Sequence, residues 1–240
     1  MRSIEIALLS FLSILLLFAG CGGTVAEHDP GMKVLYPSTT YPELLSKVAA
    51  VQTEMGTHYK AGTEHQKDSL VTVAGDYLLD VIINDFFGQW EGTEWDFNGT
   101  TRTPRQGKIA CGYFITTVLY DAGFDIPRVK WAQQASEYFI TRLSSDVKRF
   151  SNKPIADVTT YIKEKEDGLY IVGLDSHTGF IYKKGTKIRF VHASYYDPKI
   201  GVQSEKLDSH NPLNESAYRV IGRILSPAMI RKWLLDEKWE

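Results

Sequence analysis

Of the two cysteines in the sequence, Cys21 closes an N-terminal apolar run, and Cys111 stands alone in the body of the chain. Cys111 opens a segment in which Phe114, Ile115, Val118, Leu119 and Ala122 share one helical face, and Gly123 supplies a stop. The thiol is therefore expected in the first turn of a helix. Unsatisfied backbone N–H groups and the positive end of the helix dipole favour a thiolate there. The Cys111 N–H would also face a carbonyl oxygen under attack, which supplies one oxyanion donor. A cysteine nucleophile needs a base, and context ranks the six histidines. His28 lies in a Gly/Pro/Ser/Thr stretch, His58 and His65 in polar surroundings, and His210 in an Asp/Ser/Asn/Pro loop. His177 and His192 instead flank Lys183-Lys184-Gly185 within β-branched and aromatic segments. A hairpin turning at Lys184-Gly185, or over Lys183 to Thr186, sets them directly across a ladder, with Cβ atoms roughly 5 Å apart. One imidazole can then take the thiol proton while the other accepts a hydrogen bond from its second ring nitrogen. On these residues alone a buried apolar cysteine and a surface or metal-clip histidine pair remain open. No third ligand is apparent nearby, so neither a metal nor a cofactor is expected.

The elements that must position these groups follow from hydrophobic period. Pro42 suits a first helical turn, and Leu44, Leu45, Val48, Ala49 and Val51 fall largely on one face after it. A second helix is expected over 69–87, stopped by Gly88, and then a long irregular connection rich in Gly, Thr, Asn, Trp and Pro from Gln89 to Lys108. Helices are expected over 131–143 and 155–163. The period then changes, and 169–174, 177–182, 188–193 and 218–225 read as antiparallel strands before a final helix from Pro227. Helices followed by strands make an α+β domain with the Cys111 helix packed on the sheet.

These residues resemble the NlpC-type peptidoglycan endopeptidases of the papain-like superfamily over roughly residues 70–225. Gly92-Thr93-Glu94-Trp95-Asp96-Phe97-Asn98-Gly99-Thr100 is similar to the family's aromatic and glycine loop. Cys111-Gly112-Tyr113-Phe114 with Leu119-Tyr120-Asp121-Ala122-Gly123-Phe124 looks like its nucleophile helix. His177-Thr178-Gly179-Phe180-Ile181 and Phe190-Val191-His192-Ala193-Ser194 are similar to the strands that bear its base and its third polar residue. The resemblance implies a papain-like fold with Cys111 as nucleophile, His177 as base and His192 as orienter. It implies cleavage of an amide bond in peptidoglycan stem peptides through a thioester. Trp95 stands where the family commonly has a tyrosine whose hydroxyl reaches the site, and Gln106 is near enough in sequence to offer its amide to the oxyanion, as in papain-like enzymes. One departure concerns substrate. The family's Asp-Cys-Ser-Gly is here Ala110-Cys111-Gly112-Tyr113, which removes the carboxylate that would pair with a free stem-peptide amine.

The N-terminus reads as an export signal, with Arg2 before an apolar run from Ile6 to Phe18 and Ala19-Gly20-Cys21 after it. That pattern resembles a bacterial lipobox, which implies Cys21 as the lipidated first residue of an envelope lipoprotein, periplasmic or on the cell surface, with a plain signal peptide cleaved nearby as the alternative. Residues 1–20 are thus a signal peptide, 21–40 a tether, and 41–240 one hydrolase domain. With a formal net charge of −2 and both signs interspersed, there is no basic stripe for nucleic acid. The expected partners are peptidoglycan and, through the lipid, a membrane; a monomer is expected. Two other function classes stay open. One is a CHAP-like amidase, deamidase or acyltransferase with the same site; the other is a glycan- or peptide-binding lipoprotein without catalysis.

Overall fold

The computed structural model describes residues 25–27, 33–35 and 39–240. The expected signal peptide and Cys21 lie outside the described residues. Within the expected tether, strands β1 (Val25–Glu27) and β2 (Lys33–Leu35) pair antiparallel, in a unit distinct from the one formed by Thr39–Glu240.

The larger unit begins with α1 (Tyr41–Ala61) and α2 (Glu64–Val81). Each is opened by a capping box, Thr40 with Glu43 and Thr63 with Gln66, which satisfies backbone donors at the helix start reciprocally. The helix expected to stop at Gly88 continues past it, through a π-helical turn (Ile82–Phe86) into α3 (Phe87–Trp90). Gly88 is tolerated inside this helix, and the chain turns instead at Gly92, whose φ of 82° suits glycine. The connection that follows holds β3 (Glu94–Trp95) and β4 (Lys108–Ile109), paired in parallel, and β4 leads directly into α4 (Cys111–Asp121). Gly123, with φ 93°, ends α4 as expected. The single helix expected over 131–143 is divided into α5 (Arg128–Ala132) and α6 (Ser136–Leu143).

After β5 (Val147–Ser151) and α7 (Ile155–Glu164) come the long strands β6 (Gly168–Leu174), β7 (Thr178–Lys184) and β8 (Lys187–Ala193). Then β9 (Val202–Glu205), the short α8 (Pro212–Glu215), β10 (Tyr218–Ile224) and α9 (Pro227–Leu235) complete the chain. The sheet is six-stranded, in the order β5-β10-β6-β7-β8-β9, with every neighbouring pair antiparallel. The domain is therefore α+β.

Alternate residues of each strand face opposite sides of a sheet, and here both sides are covered. Phe180, Tyr182, Val191 and Ala193 join a core with Phe114, Ile115, Val118 and Leu119 of α4, and Phe114 meets Phe180 edge to face at 5.8 Å. Ile181, Phe190, Tyr170 and Val172 belong to a second core with Val158 and Ile162 of α7. Among the described residues no helix is long and apolar enough to cross a membrane.

Candidate active site

Ala110 has extended backbone angles and no side chain that caps α4, so the first N–H groups of the helix are left for other acceptors. The Cys111 sulfur takes that place. The N–H groups of Thr178, Gly112 and Cys111 itself point at it and favour the thiolate, but burial is the larger effect and raises the thiol above its ordinary range. The helix terminus expected to lower this pKa is thus outweighed by desolvation. The close fit begins at Gly112, where any Cβ would strike the Ala132 carbonyl oxygen of α5. Arg128, also on α5, braces the chain before the nucleophile: it donates to Thr117 Oγ1 of α4 at 2.7 Å and to the Thr100 carbonyl at 3.0 Å.

Thr178 opens β7, so the residue before it, His177, is brought to the same end of the sheet as Cys111. The turn that carries His177 is pinned by Asp175, whose carboxylate accepts from Ala217 N at 2.7 Å, Ser216 Oγ at 2.9 Å and Tyr218 N at 3.0 Å. Those donors hold the Asp175 carboxyl below the usual carboxylate range. His177 is 5% exposed and His192 fully buried. His177 Nε2 lies 2.9 Å from His192 Nδ1, while His177 Nδ1 is buried with no hydrogen-bond partner.

This contact does not come from the direct cross-strand pairing expected. The β7–β8 turn is Gly185-Thr186, with Lys184 opposite Lys187, so the register is displaced by two residues and His177 is diagonal to His192. Gly185, at φ 58°, occupies the first turn position rather than the second, as in a Gly-X hairpin turn. A two-residue displacement keeps both side chains on one face, and so the imidazoles still meet. Gly179 makes room for them. A Cβ there would sit 2.9 Å from His192 Cβ and closer still to the Phe190 ring, which stacks on His192 at 4.2 Å. By the alternation of β8, His192 and Phe190 lie on the sheet face opposite α4. His177, at the strand end, meets His192 on that face.

A third group completes the row and was absent from the sequence reading. His192 Nε2 lies 2.7 Å from Glu205 Oε2 on the edge strand β9. Both histidines are held below their ordinary pKa. For His177 the causes are burial and then His192; for His192 burial outweighs the opposing hydrogen bond and charge of Glu205. No motif beside Glu205 marks it, and Val202-Gln203-Ser204-Glu205 is too short and polar to announce a strand.

Trp95 is brought to the site through aromatic contacts: its ring lies 5.9 Å from Tyr195, which meets His177 at 5.2 Å. Its indole N–H is buried without a hydrogen-bond partner. Gln106 is exposed in a turn held by Thr101 Oγ1 to the Gln106 carbonyl at 2.6 Å, and no described contact joins its side chain to Cys111. A small cleft of about 80 Å³ is lined by His177, Tyr195, Tyr196, Asp175 and Glu215. Roomier cavities of about 400 and 280 Å³ lie against α2 with α9 and against the π-helical turn, and neither is lined by Cys111 or the two histidines. Among the described residues no group of three or more His, Cys, Asp or Glu side chains is gathered to hold a metal ion.

Comparison with protein-family models and with curated protein sequences found no match to either. The chemistry of the site therefore rests on its own geometry. Among the described residues no hydrogen bond joins Cys111 to His177; the link between them is the Thr178 N–H at the thiol, one residue beyond an imidazole whose Nε2 is engaged and whose Nδ1 has no partner.

Proposed function

We propose that the domain is a papain-like cysteine hydrolase of the NlpC type, which cleaves an amide bond in peptidoglycan stem peptides at the bacterial envelope. One observation carries this reading: His177 turns Nε2 to His192 and keeps Nδ1 buried and unpartnered at the end of the sheet where the Thr178 N–H meets the Cys111 thiol. The lipobox-like Ala19-Gly20-Cys21 supports a lipid-anchored protein, and the family resemblance supports the substrate.

In the reaction, His177 Nδ1 takes the thiol proton as Cys111 Sγ bonds to the substrate carbonyl carbon, and the carbonyl electron pair moves to oxygen. The Cys111 N–H and the unpartnered indole N–H of Trp95 are the donors assigned to that oxyanion. The C–N bond then breaks, the amine leaves with the proton from His177, and a thioester remains. Water attacks it, giving a proton to His177, and the thiolate departs and is reprotonated. Burial keeps both partners neutral at rest, so the proton moves during attack rather than beforehand.

Incubating the full chain with defined muropeptides and identifying new termini by mass spectrometry tests the reading. Cleavage is expected, and Cys111→Ala should abolish it with an unchanged thermal midpoint. Cleavage by Cys111→Ala, or no cleavage of any muropeptide by the parent, would overturn it. The raised thiol favours a second reading, a peptide-binding module, in which Cys111 would alkylate no faster than a model thiol and muropeptides would bind uncut.

A further inference from the structure

We infer that Glu205 is a positioning residue that fixes the tautomers of both imidazoles, and so decides whether His177 can act as a base. The inference rests on the reading of Cys111 and His177 as the reacting pair. Two neutral imidazoles in line have no preferred direction. Each has one donor and one acceptor nitrogen, so the pair can run as His177 Nε2–H to His192 Nδ1, or reversed as His192 Nδ1–H to His177 Nε2. Only the first leaves His177 Nδ1 bare to accept the thiol proton. The reversed form puts a hydrogen on Nδ1, and the base is lost.

A carboxylate breaks this symmetry because it only accepts. Glu205 Oε2, at 2.7 Å from His192 Nε2, requires a hydrogen on that nitrogen; a bare Nε2 would set lone pair against lone pair. With Nε2–H fixed, neutral His192 must present Nδ1 as an acceptor. His177, 2.9 Å away, must then donate from Nε2. The direction set on β9 is in this way handed through two rings to an atom on the residue that precedes β7. The complete burial of His192 shields the row from water that could otherwise satisfy either direction.

The decisive measurement is the imidazole ¹⁵N spectrum of the histidine-labelled full chain at about pH 8, above the ordinary imidazole range. Both His177 and His192 should appear as single Nε2–H tautomers. Glu205→Gln is close in shape but presents either edge of its amide, so both rings should become tautomer mixtures. Its kcat/KM on muropeptide should fall about tenfold or more, mainly in kcat. Asp Oδ1 occupies the place of His Nδ1 in the side chain and only accepts. The double variant His192→Asp/Glu205→Gln should therefore return His177 to Nε2–H and recover part of the lost rate, which a packing role for Glu205 would not do. An Nδ1–H tautomer at His192 in the parent chain, or unmixed rings in Glu205→Gln, would overturn the inference. If the spectra behave as stated but no muropeptide is cut, the hydrolase reading fails and the tautomer control stands.

Discussion

On the proposed mechanism the side chains of Cys111, His177 and His192 have different tasks in a turnover, and their substitutions should separate accordingly. His177→Ala removes the proton acceptor and should approach the loss caused by Cys111→Ala, about 10²-fold or more in kcat/KM. His192→Ala leaves His177 in place with one unmet hydrogen bond and should retain measurable turnover. A silent His192→Ala beside a mild His177→Ala, measured on one muropeptide, would reverse the assigned roles. Ala110 bears on choice of substrate instead. A carboxylate in its place would gain about 1.5–3 kcal/mol from a charge-assisted contact with a substrate amine, or roughly tenfold to more than hundredfold in relative specificity. Ala110 cannot supply it. Stem peptides with free and acylated amino termini, competed in one reaction, should be cleaved with similar specificity constants. A strong preference for the free amine that survives Glu94→Gln and Asp96→Asn would contradict this.

At the scale of elements, the strands foreseen in the sequence are those buried on both faces. Every residue of β6 is buried, and such a run of Leu, Tyr, Ile and Val is plain to read. The missed strands of the six-stranded sheet, β5 and β9, are its two edges. Each pairs on one side and alternates only weakly, as Val147-Lys148-Arg149-Phe150-Ser151 and Val202-Gln203-Ser204-Glu205 illustrate, because polar edges protect a sheet from further pairing. Glu205 was hidden with its strand. The histidine pair was legible because its two sides share a parity, which a two-residue error in register preserves. Gly179 is a test of that packing. Gly179→Ala should cost about 1–3 kcal/mol in denaturant unfolding and lower activity as well, since its methyl would displace Phe190 and His192. Unchanged stability and rate would show that the two rings can move aside freely.

For the whole molecule, burying two neutral imidazoles ties stability to acidity. Both pKa values are depressed from 6.5 in the folded state, so below that pH the unfolded chain binds protons that the folded chain refuses. Stability should be full above pH 6.5 and decline as the pH falls, by at most about 1.4 kcal/mol per pH unit for each histidine. Urea midpoints measured downward from pH 7.5 should show the slope, and it should be shallower in His177→Gln; an equal slope would place the titrating groups elsewhere. The segment that holds Trp95 is also laced to β9 and to the turn before it. Gly92 N donates to the Val202 carbonyl at 2.8 Å, Val202 N to the Thr93 carbonyl at 2.9 Å, and Trp95 N to the Pro198 carbonyl at 2.8 Å. Gly201, at φ 63°, presses so closely on the Thr93 carbonyl that no larger residue fits. Opening fluctuations at this edge should consequently be shared: the amides of Gly92, Trp95 and Val202 should exchange with solvent deuterium at one common rate. When this seam opens, the indole and the carboxylate are displaced together, so that on the proposed mechanism one excursion removes both an oxyanion donor and the proton direction.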